Sequence, residues 1–321
     1  MYISIVVPCY NEERNIEAFY QAINELRLKS SYEIIYVNDG SRDKTLSTLQ
    51  VLAGKDNRVK YVSFSRNFGK EAAMLAGLEM AKGEAVILMD GDLQHPPSLI
   101  PKMLDRYEEG YDQVIAKRTR TGDSWPRSIA SKLYYRMMNR LIDVKLTDGV
   151  GDFRLLSRAA INSLLSLKEY NRFSKGLFSW IGFKEYIIEY DNVLRTEGES
   201  GWSISSLFNY GVDGILSFNN KPLRASLFAG IAVTALAFMF ILIMLIQILI
   251  TGIDEPGYFT IIASISMLGG IQLISLGIIG EYIGRIYYEV KGRPKYIVEE
   301  SNLQPNYSME EVKHHEEHFK E

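Results

Sequence analysis

The sequence is poor in cysteine and in net charge. Cys9 is the one cysteine among 321 residues, so no disulfide can form within the chain, which fits a reducing compartment. The formal net charge is only -3, which gives no electrostatic case for binding nucleic acid. The first residues, Met1 to Val7, lack the basic start of a secretory signal peptide. We therefore expect a first strand there.

Charge is also missing from two long stretches near the carboxyl end. Leu227 to Ile250 is 24 residues without a charged side chain, and Phe259 to Gly280 is 22 more. Each exceeds the about 20 residues that a helix needs to cross a bilayer. These stretches predict two transmembrane helices, at 223–252 and 258–284.

The basic residues around these stretches predict their orientation. The short connection between the two stretches contains no lysine or arginine, whereas the outer flanks carry Lys221, Arg224, Arg285, Lys291, Arg293 and Lys295. The positive-inside rule then puts residues 1–204 and 285–321 in the cytoplasm. Residues 205–222 are amphipathic and are expected along the membrane interface. The region 285–321 is expected to be a short helix and a flexible tail.

The amino-terminal part alternates between apolar strand-like runs and helical stretches. This alternation predicts an α/β domain, Rossmann-like, with a mostly parallel sheet. Ligands of such sheets bind outside the carboxyl ends of the strands. The predicted strands are 3–8, 32–37, 59–64, 85–89, 112–117 and 186–190, and a glycine-rich turn at 147–154 is expected to open a helix.

The most informative stretch follows the fourth of these strands. The apolar run Ala85 to Met89 ends in Asp90-Gly91-Asp92. Gly91 permits a turn that aims both carboxylates at one target. Together with the amide oxygen of Gln94, they suit a hard divalent cation, Mg2+ or Mn2+, which often carries a phosphate ester. A solvated turn after a core strand is the alternative.

Two further segments have two interpretations each. Lys117-Arg118-Thr119-Arg120 is either a solvated loop or a place for a second phosphate. The turn at 147–154 holds Asp148, Asp152 and Arg154. These residues are either helix caps and a surface ion pair, or a base near the metal.

Three motifs together resemble the family 2 glycosyltransferases of the GT-A fold. They are Ile5-Val6-Val7-Pro8-Cys9-Tyr10-Asn11-Glu12, Val37-Asn38-Asp39-Gly40-Ser41 and Asp90-Gly91-Asp92-Leu93-Gln94-His95-Pro96-Pro97. More narrowly, the chain is similar to the polyprenyl-phosphate group, which includes dolichol-phosphate mannose synthase and the bactoprenol glucosyltransferases of the GtrB type. Gly151-Asp152-Phe153-Arg154-Leu155 and Gly280-Glu281-Tyr282-Ile283-Gly284-Arg285 favour the bacterial branch. The resemblance covers roughly residues 2 to 298.

The resemblance implies transfer of one sugar, with inversion, from a nucleotide diphosphate sugar to a lipid phosphate. It implies that Pro8, Tyr10, Glu12 and Asp39 hold the nucleobase and ribose. It also implies that Asp90, Asp92 and Gln94 bind Mg2+ or Mn2+. The residues implied for the acceptor phosphate or the pyrophosphate are basic: Arg118, Arg120 or Arg127, Arg154 and Arg195.

The choice of base stays open between Asp152 and Asp148. Asp152 matches the aspartate before Phe-Arg in the family. This sequence, however, has Thr147-Asp148-Gly149-Val150-Gly151-Asp152 where the family has a shorter turn. A carboxylate here would serve as a base or orient the acceptor.

The resemblance also suggests the partners. The bacterial branch favours UDP-glucose or UDP-N-acetylglucosamine as donor and undecaprenyl phosphate as acceptor, for modification of a cell-surface glycan. It implies a multi-pass protein of the bacterial plasma membrane that forms a homo-oligomer, such as a tetramer. The alternatives are a GDP-mannose-dependent mannosyltransferase and a catalytically silent membrane scaffold. A processive synthase is disfavoured because the Gln-x-x-Arg-Trp motif and additional spans are missing.

Overall fold

The computed structural model describes residues 1–119, 147–170, 172–191 and 257–303, with short stretches between 135 and 145 and between 228 and 250. The strands are β1 (Tyr2–Cys9), β2 (Ser31–Asn38), β3 (Val59–Phe64), β4 (Ala85–Leu88), β5 (Gln113–Arg118), β6 (Val150–Ser157), β7 (Glu185–Tyr190) and β8 (Val298–Ser301). The helices are α1 (Ile16–Glu25), α2 (Thr45–Lys55), α3 (Lys70–Met80), α4 (Ile100–Glu108, after a 3-10 turn at Pro97–Leu99), α5 (Arg158–Ser166), α6 (Ser174–Trp180) and α7 (Tyr258–Lys291).

All the described strands belong to one sheet, in the order β7-β5-β6-β4-β1-β2-β3-β8. β6 and β8 run antiparallel to their neighbours, and the other strand pairs are parallel. The predicted α/β domain with a mostly parallel sheet is therefore confirmed. The inner strands are buried on both faces, because helices cover both faces of a parallel sheet.

Helix α3 packs unusually close to the sheet. Ala72, Ala73 and Ala76 are buried on it, and these small side chains keep the helix near the strands. A Cβ added to Gly77 would lie only 2.1 Å from Cγ1 of Val6. This close packing fixes the amino end of α3, which begins at Lys70, over the carboxyl edge of the strands.

The segment 147–154 differs from its prediction. It is a turn followed by strand β6, and the next helix begins only at Arg158. The strand forms because Phe153 and Leu155 join the core on one face while Arg154 and Leu156 are buried on the other. Strand β6 lies between β4 and β5 and pairs with both, so ladder hydrogen bonds satisfy backbone groups on each of its sides.

The predicted tail also needs a correction at its start. After α7 ends at Gly292, which has a φ of 58°, residues 298–301 pair with β3 as strand β8. Tyr296 stacks on Phe64 with ring centroids 4.8 Å apart. Asn302 accepts a hydrogen bond from the backbone N–H of Tyr61 at 2.7 Å. These contacts to an edge strand order a segment whose composition is typical of a mobile tail.

The chain divides into two compact units. One comprises Met1–Met137, Val144–Ser203 and Pro294–Glu321 and contains the sheet; the other comprises Met138–Asp143 and Ile204–Arg293 and contains α7. Among the described residues, one helical segment, Met267–Lys291, is long and apolar enough to cross a membrane, with a mean hydropathy of 1.4. The segment 205–222 and most of the first predicted span, 223–252, lie outside the described residues. The presence of two spans therefore stays a prediction.

Candidate active site

A cavity of about 360 Å³ opens at the carboxyl ends of β1, β2 and β4. Its lining includes six residues to which the family resemblance gives a nucleotide or metal role, namely Pro8, Tyr10, Glu12, Asp39, Asp90 and Asp92. Lys70 lines the same cavity. The fold therefore brings together residues that are up to 84 positions apart in the chain, as expected for the carboxyl edge of a parallel sheet.

One end of this cavity is built around Asp39, directly after β2. The side chain is buried, and its two oxygens accept hydrogen bonds from the backbone N–H groups of Phe68 at 2.6 Å and Gly69 at 2.9 Å. Burial raises the pKa of Asp39 above its ordinary value, although these two hydrogen bonds oppose the rise. We call this part of the cavity, with the loops after β1 and β2, the nucleotide end, after the role that the family resemblance implies for it.

The two loops of the nucleotide end are joined by hydrogen bonds. Asn11 N–H donates to Ser41 Oγ, and Glu12 N–H donates to Thr45 Oγ1, both at 2.9 Å. Asn11 has a φ of 55°, in the left-handed region that only a few residue types enter readily. Gly40, with a φ of 61°, lies where any Cβ would come within 2.3 Å of the Arg66 backbone. These hydrogen bonds and the backbone geometry hold the two loops together.

The other end of the cavity is built around Lys70. Its Nζ lies 2.7 Å from Asp90 Oδ1 and 2.7 Å from Asp152 Oδ2. Strand register explains the meeting of the two carboxylates. Leu88 of β4 pairs with Arg154 of β6, so continuing the antiparallel register by two residues opposes Asp90 and Asp152. We call this part of the cavity the reaction end, after the metal-binding and catalytic roles expected for its carboxylates.

The reaction end is strongly polarised. Burial would raise the pKa of Asp152, but the ammonium of Lys70, with smaller contributions from Lys175 and Arg154, lowers it to about 2. Burial would likewise lower the pKa of Lys70, but Asp152 and Asp90 raise it above its ordinary value. Asp152 is therefore a carboxylate, and Lys70 an ammonium, throughout the physiological pH range.

The remaining predicted metal ligands lie in the loop after β4. Asp92 accepts hydrogen bonds from the backbone N–H of Gln94 at 3.1 Å and from its side-chain amide at 2.7 Å. Leu93 between them has a φ of 57°, a strained conformation that turns the loop back on itself. His95 stacks on Phe153, and its Nδ1 lies 3.8 Å from Asp90 Oδ2.

The donor set fits Mg2+ or Mn2+. Two carboxylates and an amide oxygen are hard oxygen ligands, and Mg2+ commonly takes one or two carboxylates and completes its shell with water and substrate phosphates. In the part of the chain that the structure describes, no three His, Cys, Asp or Glu side chains cluster with metal-binding geometry.

Two of the predicted basic residues, Arg118 and Arg154, lie in the described part of the chain. Arg118 ends β5, and its backbone N–H donates to Gly149 O at 2.9 Å, which ties it to the turn that carries Asp148. Arg154 is buried and donates to Gly151 O at 2.8 Å, with its guanidinium 3.7 Å from the centre of the Phe178 ring. Arg120, Arg127 and Arg195 lie outside the described residues.

Arg154 also lines a second cavity, of about 370 Å³. Lys145 and Lys175 bring two further cations to its lining, and Ile115 and Ile187 bring apolar surface. The charges of Lys175 and Arg154 both lower the pKa of Asp152. A cavity that combines cations with apolar walls is suited to an amphiphilic anion.

The sequence prediction missed Lys70 and its neighbour Glu71. The carboxylate of Glu71 hydrogen-bonds to the backbone N–H of Ser174 at 3.3 Å and to its hydroxyl, which links α3 to α6. Burial raises the pKa of Glu71 to about 7. The signal that could have identified Lys70 is its position: it directly follows Gly69, after a predicted strand and at the start of a helix, where ligands meet the sheet.

The chain matches two known families. The family described as glycosyl transferase family 2 matches residues 4–165. A second family, described as the GtrB C-terminal hairpin, matches residues 221–286. The first match spans strands β1 to β6 except the first two residues of β1, and the second spans the two predicted membrane helices.

Curated relatives extend over nearly the whole chain. CsbB of Bacillus subtilis (strain 168), whose name places it among the glycosyltransferases, is 56% identical over 97% of this chain and 94% of its own length. The SfII prophage-derived bactoprenol glucosyl transferase of Shigella flexneri is 42% identical over 94% of this chain and 99% of its own. The prophage bactoprenol glucosyl transferase homolog of Escherichia coli (strain K12) is also 42% identical, over 93% and 98%.

Among solved structures, one similar chain is glucosyl-3-phosphoglycerate synthase from Mycobacterium tuberculosis in complex with Mn2+, UDP-glucose and phosphoglyceric acid. It is 20% identical, with a TM-score of 0.44, covering 67% of this chain and 77% of that one. The family matches and the curated relatives, by contrast, are extensive. On their evidence the chain is a glycosyltransferase and belongs to glycosyltransferase family 2, with the carboxyl-terminal hairpin of the GtrB type.

Proposed function

We propose that the protein transfers a single sugar, with inversion, from UDP-glucose or UDP-N-acetylglucosamine to undecaprenyl phosphate in the membrane. The product would be a lipid-linked sugar for modifying a cell-surface glycan. The observation that carries this proposal is the single cavity whose lining joins the nucleotide end, at Asp39, to the reaction end, at Asp90 and Lys70. The names of the relatives, bactoprenol glucosyl transferases, support glucose and a polyprenyl phosphate.

The nucleotide end is suited to hold the nucleoside. Glu12 and Asp39 present carboxylate oxygens, which accept hydrogen bonds from the imide N–H of a pyrimidine or from ribose hydroxyl groups. Tyr10, which is 43% exposed, offers a ring for stacking on a base. Because the loops are already hydrogen-bonded together, little ordering is needed when the nucleotide binds.

The chemistry at the reaction end needs little proton transfer. The acceptor is a phosphate monoester with a second pKa of about 6, so it is largely ionised near neutral pH. One of its oxygens attacks the anomeric carbon from the side opposite the leaving group. The new C–O bond forms as the bond to the nucleotide diphosphate breaks, and the configuration inverts. Positioning these groups in line supplies much of the rate.

The residues of the reaction end have distinct roles in this proposal. Asp152 is ionised, and we assign to it the orientation of the acceptor through the cations that it contacts. With a pKa of about 2 it is too weak a base to take a proton from the phosphate monoanion. Its contact with Lys70 and its register opposite Asp90 favour it over Asp148. A divalent cation on Asp90, Asp92 and Gln94 would supply charge neutralisation for the departing diphosphate.

The acceptor side is assigned to the cations beyond Asp152. Arg118 and Arg154 are proposed to bind the lipid phosphate, since guanidinium groups match phosphate oxygens in geometry and charge. The second cavity, with its cations and apolar walls, supports an amphiphilic acceptor next to Asp152. Arg120 or Arg127, and Arg195, remain candidates for the acceptor phosphate and the pyrophosphate.

The proposed location is the bacterial plasma membrane, with two spans and a cytoplasmic catalytic domain. The GtrB-type hairpin match at 221–286 and the apolar helix at Met267–Lys291 support this topology. A lipid acceptor requires an enzyme at the bilayer surface, and nucleotide sugars are cytoplasmic. A homo-oligomer, such as a tetramer, is proposed on the family resemblance alone.

A donor panel tests the proposed function. The purified full chain in detergent is given undecaprenyl phosphate with Mn2+ or Mg2+, and separately UDP-glucose, UDP-N-acetylglucosamine, UDP-galactose or GDP-mannose. Mass spectrometry then looks for a glycosylated lipid. We expect one product, with glucose or N-acetylglucosamine. A mannosylated product would overturn the donor assignment, and no product from folded protein would favour the silent scaffold.

A further inference from the structure

We propose that Lys70 is an internal counter-cation that couples metal binding to donor binding. Its ammonium holds Asp90 when no donor is present, and it leaves Asp90 for the donor's diphosphate when the metal and nucleotide arrive. This inference rests on the proposed function, because it describes how the same site takes its metal and its donor. It concerns a residue to which the sequence motifs assign no role.

The first observation is that Lys70 already occupies the carboxylate that a metal needs. Its Nζ is 2.7 Å from Asp90 Oδ1 and 2.7 Å from Asp152 Oδ2. The other oxygen of Asp90 is 3.8 Å from His95 Nδ1, in a part of the loop that is largely buried. A divalent cation on either oxygen of Asp90 would therefore lie within a few ångströms of the ammonium.

Electrostatics then sets the order of events. A divalent cation and an ammonium on one carboxylate repel each other, so the metal alone must compete with Lys70. A nucleotide diphosphate attracts both cations. When it enters the cavity, Lys70 gains an anionic partner other than Asp90, and the metal gains phosphate oxygens as ligands. Each ligand thereby strengthens binding of the other, as linkage requires.

The second observation is that the side chain can move while its helix stays fixed. Lys70 is the first residue of α3, and Gly77 holds that helix against Val6. The Lys70 side chain is nevertheless 41% exposed and lines the open cavity that also contains Asp92. A flexible four-carbon stem on a rigid base suits an ammonium that changes partners.

The test measures metal binding and not catalysis. The full chain in detergent is titrated with Mn2+, and free Mn2+ is followed by electron paramagnetic resonance, with and without UDP and, in parallel, GDP. The variants are Lys70→Met, which keeps the length and apolar stem of the side chain, and Lys70→Arg, which keeps the charge. Lys82→Met is the matched control, since Lys82 is an exposed lysine just beyond the other end of α3.

In the wild type we expect weak Mn2+ binding that the nucleotide strengthens by about tenfold or more, within the usual range of coupling. Lys70→Met should bind Mn2+ alone about tenfold more tightly and lose most of the strengthening by nucleotide. Lys70→Arg and Lys82→Met should keep the coupling of the wild type. Thermal unfolding of each variant confirms that it is folded.

Two results would overturn the inference. One is that Lys70→Met has the same Mn2+ affinity and the same coupling as the wild type. The other is that it binds Mn2+ more weakly than the wild type, which would make Lys70 a support for the metal ligands. In both cases a nucleotide effect in the wild type leaves the proposed function standing. If neither UDP nor GDP changes Mn2+ binding to the wild type, the proposed function fails together with the inference.

Discussion

The two ends of the cavity hold their carboxylates in opposite ways. At the nucleotide end, Asp39 is held by two backbone N–H groups, which are fixed dipoles without net charge. At the reaction end, Asp152 is held by the ammonium of Lys70. Accordingly, burial raises the pKa of Asp39, whereas Lys70 overcomes burial and lowers the pKa of Asp152 to about 2.

Under the proposed function, this difference would match what each end has to do. Backbone amides cannot leave without unfolding a loop, so the nucleotide end would be a preorganised surface for the nucleoside, which does not change during the reaction. A side-chain cation can change partners, so the reaction end can respond when charge moves from sugar to leaving group. The following predictions test this division.

The largest effect is expected at the reaction end. Asp92→Ala removes a proposed metal ligand and should lower the rate of sugar transfer by about a thousandfold or more, since a bound cation contributes several kcal/mol to transition-state stabilisation. The measurement is product formation at saturating donor and acceptor. Asp105→Ala, at an exposed carboxylate of α4, is the control. Full metal-dependent activity in Asp92→Ala would remove Asp92 from the site.

A smaller effect is expected at the nucleotide end. Asp39→Asn removes the charge and leaves one of the two loop N–H groups facing an amide donor. Because a hydrogen bond to a charged group contributes about 1.5–3 kcal/mol, the Kd for UDP should rise about tenfold to a hundredfold. Transfer at saturating donor should change much less. An unchanged Kd, measured by calorimetry beside Asp105→Asn, would contradict the assignment of this end.

Use of the lipid acceptor should depend on Arg118 without a change in donor binding. Arg118→Ala removes one proposed phosphate contact and should raise the KM for the lipid phosphate about tenfold, as expected for loss of a charge-assisted hydrogen bond. The KM for the nucleotide sugar should stay as in the wild type. Arg106→Ala, at an exposed arginine of α4 that pairs with Glu109, is the control. If only donor use changes, Arg118 belongs to the pyrophosphate instead.

The smallest expected effect is on the free energy of unfolding, through Glu71, which follows Lys70 in the chain. Burial raises the pKa of Glu71 from 4.5 to about 7, so the folded chain holds a proton here that the unfolded chain releases. The free energy of unfolding should therefore fall as the pH rises from about 4.5 to 7. Glu71→Gln imitates the protonated form and should raise the Tm by a few degrees at pH 8.

The control for this change is Glu17→Gln, at an exposed glutamate of α1. Below pH 4.5 the Tm of Glu71→Gln should coincide with that of the wild type. The contribution of Asp152 to the free energy of unfolding depends on pH in the opposite direction. Because the pKa of Asp152 is lowered from 3.8 to about 2, this contribution is complete above about pH 4 and is lost only as the pH falls towards 2. A Tm for Glu71→Gln below that of the wild type at pH 8 would show that the ionised carboxylate is the favoured form.

The nucleotide end was largely predictable because its signals are local. Strand β3 has the predicted bounds, and β1 and β2 agree with their predictions to within one residue at each end. In each case an apolar run stops at a polar residue, and parallel strands bring such stops to one edge. Tyr10, Glu12 and Asp39 line one cavity for this reason.

The reaction end was less predictable because it depends on a pairing across the chain. Asp152 meets Asp90 through the register of β6 on β4. The glycines at 149 and 151 made the start of β6 resemble a turn in the sequence. Lys70 reaches both carboxylates because Gly77 lets α3 lie close to the sheet. Neither the meeting of Asp152 with Asp90 nor the reach of Lys70 can be obtained from the spacing of residues along the sequence.

Strand β8 has a consequence for the time course of synthesis. The ribosome makes the amino-terminal strands first, yet the edge of β3 is covered by residues 298–301, near the end of the chain. The catalytic sheet therefore keeps an open edge, which is prone to pairing with other chains, until α7 and the residues after it have been made. Glu300, which accepts hydrogen bonds from Gln50 and Tyr61, joins that edge late. A chain that ends after the last apolar helix would thus leave the ribosome with its catalytic sheet still incomplete.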